Sequence, residues 1–287
     1  MQYVSALFNG LSYGMLLFLL GAGLSLVFGV GRFINLAHGG LFIIGGYVGF
    51  TVLNELGNFW LGILIGPMVG GALGLAADLL VLRRLHGHGR ELDQVLVTFG
   101  LALIIADATR AGWGGDIRSV GAPAPFDRPI EIGDFSYPAY PLVIIGVGLL
   151  VFGLLWLLLQ RTRVGAMIRA AAGDPQMAQV LGVPTAPVLR LTFALGVALA
   201  ALGGVVALPR QALAPGRDFE MLLLALVVVV IGGLGRIEGA FWAALLVGLT
   251  DSYGKLFFPE FTVAMIFGLL ALVLIWRPEG LLGRRAV

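Results

Sequence analysis

EMLLLALVVVVIGGLGRIEGAFWAALLVGLT, residues 220–250, is the stretch whose reading decides the fold. A helix crossing a hydrocarbon core of about 30 Å needs roughly 20 apolar residues. This run is too long for one ordinary crossing, yet GGLGRIEGA (232–240) cuts it into pieces each too short for a comfortable one. Irregular backbone at membrane depth survives only where protein or a water-filled cavity satisfies its amides. The interruption therefore reads as a broken or re-entrant helix whose break faces inward. A second polar, glycine-rich stretch, GRFINLAHGG (31–40), leads into a short apolar run and reads the same way.

Working outward, further apolar runs occupy residues 4–30, 39–54, 59–82, 93–111, 139–160, 188–208 and 257–276. The pattern predicts an all-α integral membrane protein of about eight transmembrane helices, seven to nine according to how the breaks are counted, in a single domain over 1–287. Composition agrees: 59% of the 287 residues are hydrophobic and 12% charged, against roughly 25% charged in a soluble domain. The net charge of +2 does not suggest nucleic-acid binding, and with no cysteine neither disulfides nor thiol chemistry contribute. The opening MQYVSALFNG lacks Lys and Arg, and the run behind it is too long for a signal-peptide core, so it reads as a retained helix.

Basic residues set the orientation. Arg83, Arg84 and Arg90, then Arg161, Arg163, Arg169 and Arg190, then Arg277, Arg284 and Arg285 flank three inter-helix or terminal segments. The positive-inside rule places these in the cytoplasm. The 112–138 loop balances Arg118 and Arg128 against Asp116, Asp127, Glu131 and Asp134 and belongs outside. The side of the N-terminus depends on whether 220–250 crosses once or turns back, which stays open.

RTRVGAMIRAAAGDPQMAQVLGVPTAP (161–187) predicts a cytoplasmic docking element. Asp174 before Pro175 is a helix start, since a carboxylate caps free amides and proline suits the first helical position. Gly182 and Pro184 supply the stop. The helix between, PQMAQVL, exposes Met177, Val180 and Leu181 and is too short to stand alone in water. It packs under this chain's own helices or docks on a second protein.

Several stretches together carry a family resemblance: GLSYGMLLFLLGAGLSLVFGVGRFINLAHGGLFIIGGY (10–47), RVGAMIRAAAGDPQMAQVLGV (163–183), GGLGRIEGAFWAALLVGL (232–249) and RPEGLLGR (277–284). In this order and spacing the chain resembles the LivH-type permease subunits of branched-chain amino acid ABC importers over nearly its whole length. The resemblance implies a multi-pass protein of the bacterial inner membrane that imports branched-chain amino acids or related small polar solutes by alternating access. It implies as partners a second, different permease, two cytoplasmic ATPases and a periplasmic solute-binding protein. It also implies that 161–187 is the loop that couples to an ATPase subunit, with Arg169, Asp174 and Gly182 at the matching positions; Pro175, Met177 and Leu181 of the short helix complete the candidate coupling residues.

A phosphate-cradling loop needs a glycine-rich turn followed by Lys and Ser or Thr, and the single lysine here is Lys255 in YGKLFF. The chain is therefore read as a transport subunit, not an enzyme, with no cofactor of its own and ATP bound by partner subunits. Asn35, His38, Gly39 and Gly40 of the first break, and Gly232, Gly233, Gly235 and Gly239 of the second, are the candidate substrate-pathway residues. Competing readings are that Asn35 and His38 satisfy backbone groups freed by the break, and that the glycines serve close helix packing.

Asp78 and Asp107 lie inside apolar runs, where a carboxylate is costly. Stabilising pairs with Arg83 or Arg84, and with Arg110, are expected for them. The alternative is an ion-coupled secondary transporter using one of these carboxylates. His86 and His88 have no evident carboxylate or thiol partner, so no metal site is read there. Trp60, Trp156, Trp242 and Trp276 read as interface or packing anchors.

Overall fold

The computed structural model describes residues 2–85, 90–132 and 135–283. Eleven α-helices are seen among them: α1 Gln2–Gly31, α2 His38–Leu56, α3 Phe59–Leu80, α4 Glu91–Trp113, α5 Tyr140–Arg161, α6 Arg163–Gly173, α7 Pro175–Val180, α8 Thr185–Ala207, α9 Asp218–Gly232, α10 Ile237–Phe257 and α11 Thr262–Trp276. An antiparallel hairpin, β1 Pro129–Ile132 and β2 Phe135–Pro138, lies in the α4–α5 connection. Seven helices are each long and apolar enough to cross a membrane, while α9 with α10 qualifies only as a pair, bent by 118°.

α1 is apolar all round and sits at the centre, with Phe18, Leu19 and Ala22 fully buried. α10 lies antiparallel along it: Gly10 meets Leu249 and Gly14 meets Ala244, and Gly29 meets Gly235 just before α10 begins. Phe18 and Phe241 pack edge to face across the same seam, 5.3 Å apart. On the other side α8 is gripped by α3, whose Gly66, Gly70 and Gly74 recur every fourth residue and admit Val205, Ala201 and Val197. Small residues at that spacing let helix backbones approach where apolar lipid gives no hydrophobic drive to associate. Asn58 caps α3, its Oδ1 accepting from Trp60 N at 2.9 Å.

The 118° bend turns the chain back, so α10 returns to the end where α1 begins. Tyr253 Oη donates to Tyr3 O there, at 3.3 Å. The segment after α11 lies at the opposite end, where Leu281 N donates to Ile231 O. The N-terminus and residues 277–283 thus occupy opposite ends of the bundle, which answers the question the sequence leaves open.

Candidate translocation and coupling sites

The first break spans residues 32–37. α1 ends as Arg32 N donates to Phe28 O at 2.9 Å, and Arg32 turns the chain with φ +56°, a left-handed conformation unusual outside glycine. The chain then climbs back into the bundle, because His38 Nε2 lies 3.0 Å from Leu20 O. Leu20 is eleven residues before Gly31, about 16 Å along the helix axis. α2 therefore starts at mid-depth, with the partial positive charge of its free N–H groups held inside the bundle.

Local bonds hold this irregular backbone. Asn35 Oδ1 accepts from Ala37 N at 3.1 Å, and Leu36 N donates to Thr98 Oγ1 of α4 at 3.2 Å. Asn35, His38 and Thr98 are completely buried. Asn35 thus satisfies a backbone group of the break, while His38 bonds a carbonyl inside α1 rather than one freed by the break. Each also keeps a nitrogen without a hydrogen-bond partner, Asn35 Nδ2 and His38 Nδ1, as does the hydroxyl of Ser25. A buried polar group left unpaired costs about 1–3 kcal/mol; Asn35 Nδ2 is a donor, whereas His38 Nδ1 is an acceptor, because Leu20 O obliges Nε2 to carry the ring proton. Gly39 and Gly40 are packing positions: a Cβ on Gly39 would strike Asp218 O of α9, and one on Gly40 would lie 2.8 Å from Ile105 of α4.

The second break spans residues 233–236. Gly232 and Gly239 press backbone on backbone, Gly235 meets Gly29 of α1, and Gly233 meets the segment after α11. Leu281 N and Leu282 N donate to Ile231 O and Gly232 O at 2.7 and 3.4 Å, supplying the last carbonyls of α9 with the donors a broken helix lacks. Arg236 also donates to Leu282 O.

The 161–187 stretch contains two helices, α6 and α7. Thr162 caps α6, its Oγ1 accepting from Gly165 N at 3.0 Å, and Ile168 and Ala171 bury against Val188 of α8. Asp174 Oδ1 caps α7, accepting from Gln176 N at 2.9 Å and Met177 N at 3.0 Å. Gly182 adopts φ +82° at its end, a left-handed stop that glycine takes without a Cβ penalty. Ala178 is buried, yet Met177, Val180 and Leu181 are 56, 82 and 75% exposed. This chain's own helices leave that face uncovered. The element reaches both breaks: Arg32 Nη2 donates to Gly173 O at 2.9 Å, and Arg169 lines a cavity of about 170 Å³ with Gly235, Arg236 and Glu238.

The two expected carboxylate pairs are corrected. Asp78 is buried and ion-paired across helices with Arg190 of α8, Oδ2 to Nε 3.5 Å. Arg83 and Arg84 lie five and six residues on, so a regular helix would carry them away from the Asp78 face, and the chain leaves α3 before reaching them. Asp107 and Arg110 are both exposed on α4 and form no ion pair, since spacing permits one but nothing packs over these side chains to hold it. His86 and His88, with Arg284 and Arg285, lie outside the described residues. Trp60, Trp156, Trp242 and Trp276 are all exposed, Trp60 and Trp276 at helix ends.

Comparison with known proteins places this geometry. Residues 6–274 match the family described as branched-chain amino acid transport system, permease component. The chain is 30% identical to the high-affinity branched-chain amino acid transport system permease protein BraD of Pseudomonas aeruginosa, covering 100% of this chain and 97% of that protein. It is 28% identical to the permease protein LivH of Escherichia coli over the same shares. The permease protein LivM of E. coli is also 28% identical, over 93% of this chain and 68% of its own length. Among solved structures, PsaBC of Streptococcus pneumoniae in complex with Fab has a similar fold, with TM-score 0.50, 11% identity, and 93% of this chain and 89% of that chain covered.

Proposed function

From the premise that this chain belongs to the branched-chain amino acid transport system permease family, we propose that it is one of two permeases in an ATP-driven importer of branched-chain amino acids or related small polar solutes. The observation that carries this is the α6–α7 element, whose uncovered apolar face of Met177, Val180 and Leu181 stands beside a bond to the first break and a cavity shared with the second. A mobile ATPase pressing on that face moves Gly173 with it, and Arg32 transmits the motion to the segment carrying Asn35 and His38. Arg169 stands against the second break in the same way. Such motion can shift a two-state equilibrium between outward-open and inward-open arrangements only as far as ATP and solute bind the two states differently.

In this reading the arginine-rich end faces the cytoplasm of a bacterium and the protein lies in the inner membrane. The second permease is a different, LivM-like chain, and a periplasmic binding protein delivers solute. ATP binds the ATPase subunits, and this chain holds no cofactor. The mid-depth start of α2, with the donor Asn35 Nδ2 unpaired beside it, suits the passage of a carboxylate, while the bare Nδ1 of His38 can accept from a solute ammonium or hydroxyl. Gly39, Gly40, Gly232, Gly233, Gly235 and Gly239 act by letting the backbones around that passage slide at close contact.

The test is uptake of labelled leucine and a panel of small solutes into liposomes holding this chain, the second permease, the ATPases and the binding protein. Uptake is expected to stop when either ATPase is omitted. Uptake that persists without ATPases and collapses with an ion gradient overturns the reading and turns attention to Asp78 and Asp107.

A further inference from the structure

The end of the bundle away from α6 and α7 holds a cavity of about 910 Å³ whose wall includes Arg210, Asp251 and Lys255. None of the break residues lines it. Sequence reading overlooked all three as a group, because Arg210 sits in the loop after α8 while the other two lie in α10, beyond the apolar run.

Their arrangement is specific. Arg210 Nη1 donates to Ser12 Oγ at 2.8 Å and Nη2 to Asn9 O at 3.2 Å, both on α1. Lys255 Nζ donates to Asp251 Oδ2 at 2.7 Å. The guanidinium lies 6.0 Å from the centre of the Tyr13 ring and the ammonium 5.4 Å, so both cations stand close to one aromatic ring. Two cations and one carboxylate leave the wall with an excess positive charge. Arg210 is partly buried, and that burial pulls its pKa below the ordinary arginine value, with Tyr137, Tyr13 and Asp251 opposing the shift. Two fixed bonds occupy only part of a five-donor guanidinium, whose planar fork matches a carboxylate. Asp251 supplies the opposite charge nearby, and Ala6, Pro141 and Leu256 give the same cavity an apolar wall.

We propose that this cavity receives a small amino acid, Arg210 and Lys255 taking its carboxylate, Asp251 facing its ammonium and the apolar wall its side chain. The proposal rests on the importer reading, under which this end faces outward. The same anion-recognising chemistry would also accept a lipid phosphate, which carries no neighbouring ammonium when the headgroup is glycerol.

Equilibrium binding of labelled leucine to the assembled transporter, in nanodiscs of phosphatidylcholine without ATP, tests it. Competition by isocaproate, which keeps the carboxylate, is expected to survive better than competition by leucinamide, which lacks it. Arg210→Gln and Lys255→Gln are each expected to weaken leucine binding at least about tenfold, with Arg210→Lys restoring part of the loss. Size-exclusion profiles report folding, and the exposed Lys255 provides a variant that does not depend on the Arg210 bonds to α1. Unchanged binding in both glutamine variants overturns the proposal, as does an absence of leucine binding in the unaltered complex. Phosphatidylglycerol displacing leucine from the discs at headgroup stoichiometry would make this a lipid site and overturn it too. Leucine bound as expected, but no ATP-dependent uptake of any solute, would count against the importer reading and leave the cavity assignment standing.

Discussion

Asp78 is the residue where membrane burial and charge meet most directly. Its side chain is 1% exposed and its partner Arg190 is 36% exposed, so removing the carboxylate leaves a cation that water can still partly reach. Breaking a fully buried pair costs about 3–5 kcal/mol, and solvent screening of Arg190 lowers the expectation for Asp78→Asn to about 1–3 kcal/mol. A thermal-shift assay should therefore find the variant several degrees less stable, while uptake per folded molecule stays near that of the parent. Stable Asp78→Asn protein that has lost transport would instead give the carboxylate a place in the cycle. The need for a partner was legible in the sequence; the partner was not. Arg190 comes from a helix more than a hundred residues away, and a single sequence carries no signal linking α3 to α8. Asn35 and His38 show the complementary case. The glycine-rich break pointed to them, but only the fold reveals that each spends one polar atom on backbone and keeps another unpaired.

At the scale of elements, apolar run length located the crossings, because the hydrocarbon core sets that length directly. Where the run is interrupted by polar residues the reading stops short: α10 continues past Thr250 to Phe257 since Asp251 and Lys255 pair one turn apart on its face. The β1–β2 hairpin also escaped, its four-residue strands being too short to show a period. α7 was legible because both of its ends are encoded locally, by Asp174 and by Gly182. Asp174→Ala should remove a cap worth about 1 kcal/mol from a helix of six residues, fraying the face that carries Met177. Solute-stimulated ATPase activity of the assembled transporter should then fall several-fold with protein yield unchanged; full stimulation would argue against α7 as the contact. The α9–α10 break makes a second prediction at this scale. Gly239→Ala places a Cβ into Gly232 O, whereas nothing lies within 4 Å of a Cβ at Gly268 in α11. Gly239→Ala should lose the monodisperse peak in fluorescence-detected size exclusion, and Gly268→Ala should keep it, with a gain of up to about 1 kcal/mol in helix stability. Equal behaviour of the two would mean that the break tolerates separation.

For the whole molecule, charge and topology converge on one orientation. Arg161, Arg163, Arg169, Arg236 and Arg277 gather around α6, the second break and the end of α11, and the described acidic residues among them are few. At the other end Arg217 is offset by Glu220 at 3.2 Å and Arg118 by Asp116 at 3.9 Å, leaving Arg210 without an acidic partner of its own among the described residues. On the proposed reading the positive-inside rule sets α7 in the cytoplasm, and the turn made by α9 and α10 then predicts an N-terminus outside. The absence of cysteine from the chain makes this directly measurable, because any thiol introduced is the only one. Tyr3→Cys, at a residue 62% exposed, should react with a membrane-impermeant maleimide on intact spheroplasts. Met177→Cys should react only after the membrane is opened. Assembly with the ATPases should then shield Met177→Cys while leaving Tyr3→Cys as reactive as before, since one face is covered and the other is some 45 Å away along α1. Labelling of both thiols from the same side would undo the turn at 233–236, and with it the connection from α7 through Arg32 and Arg169 to the two breaks.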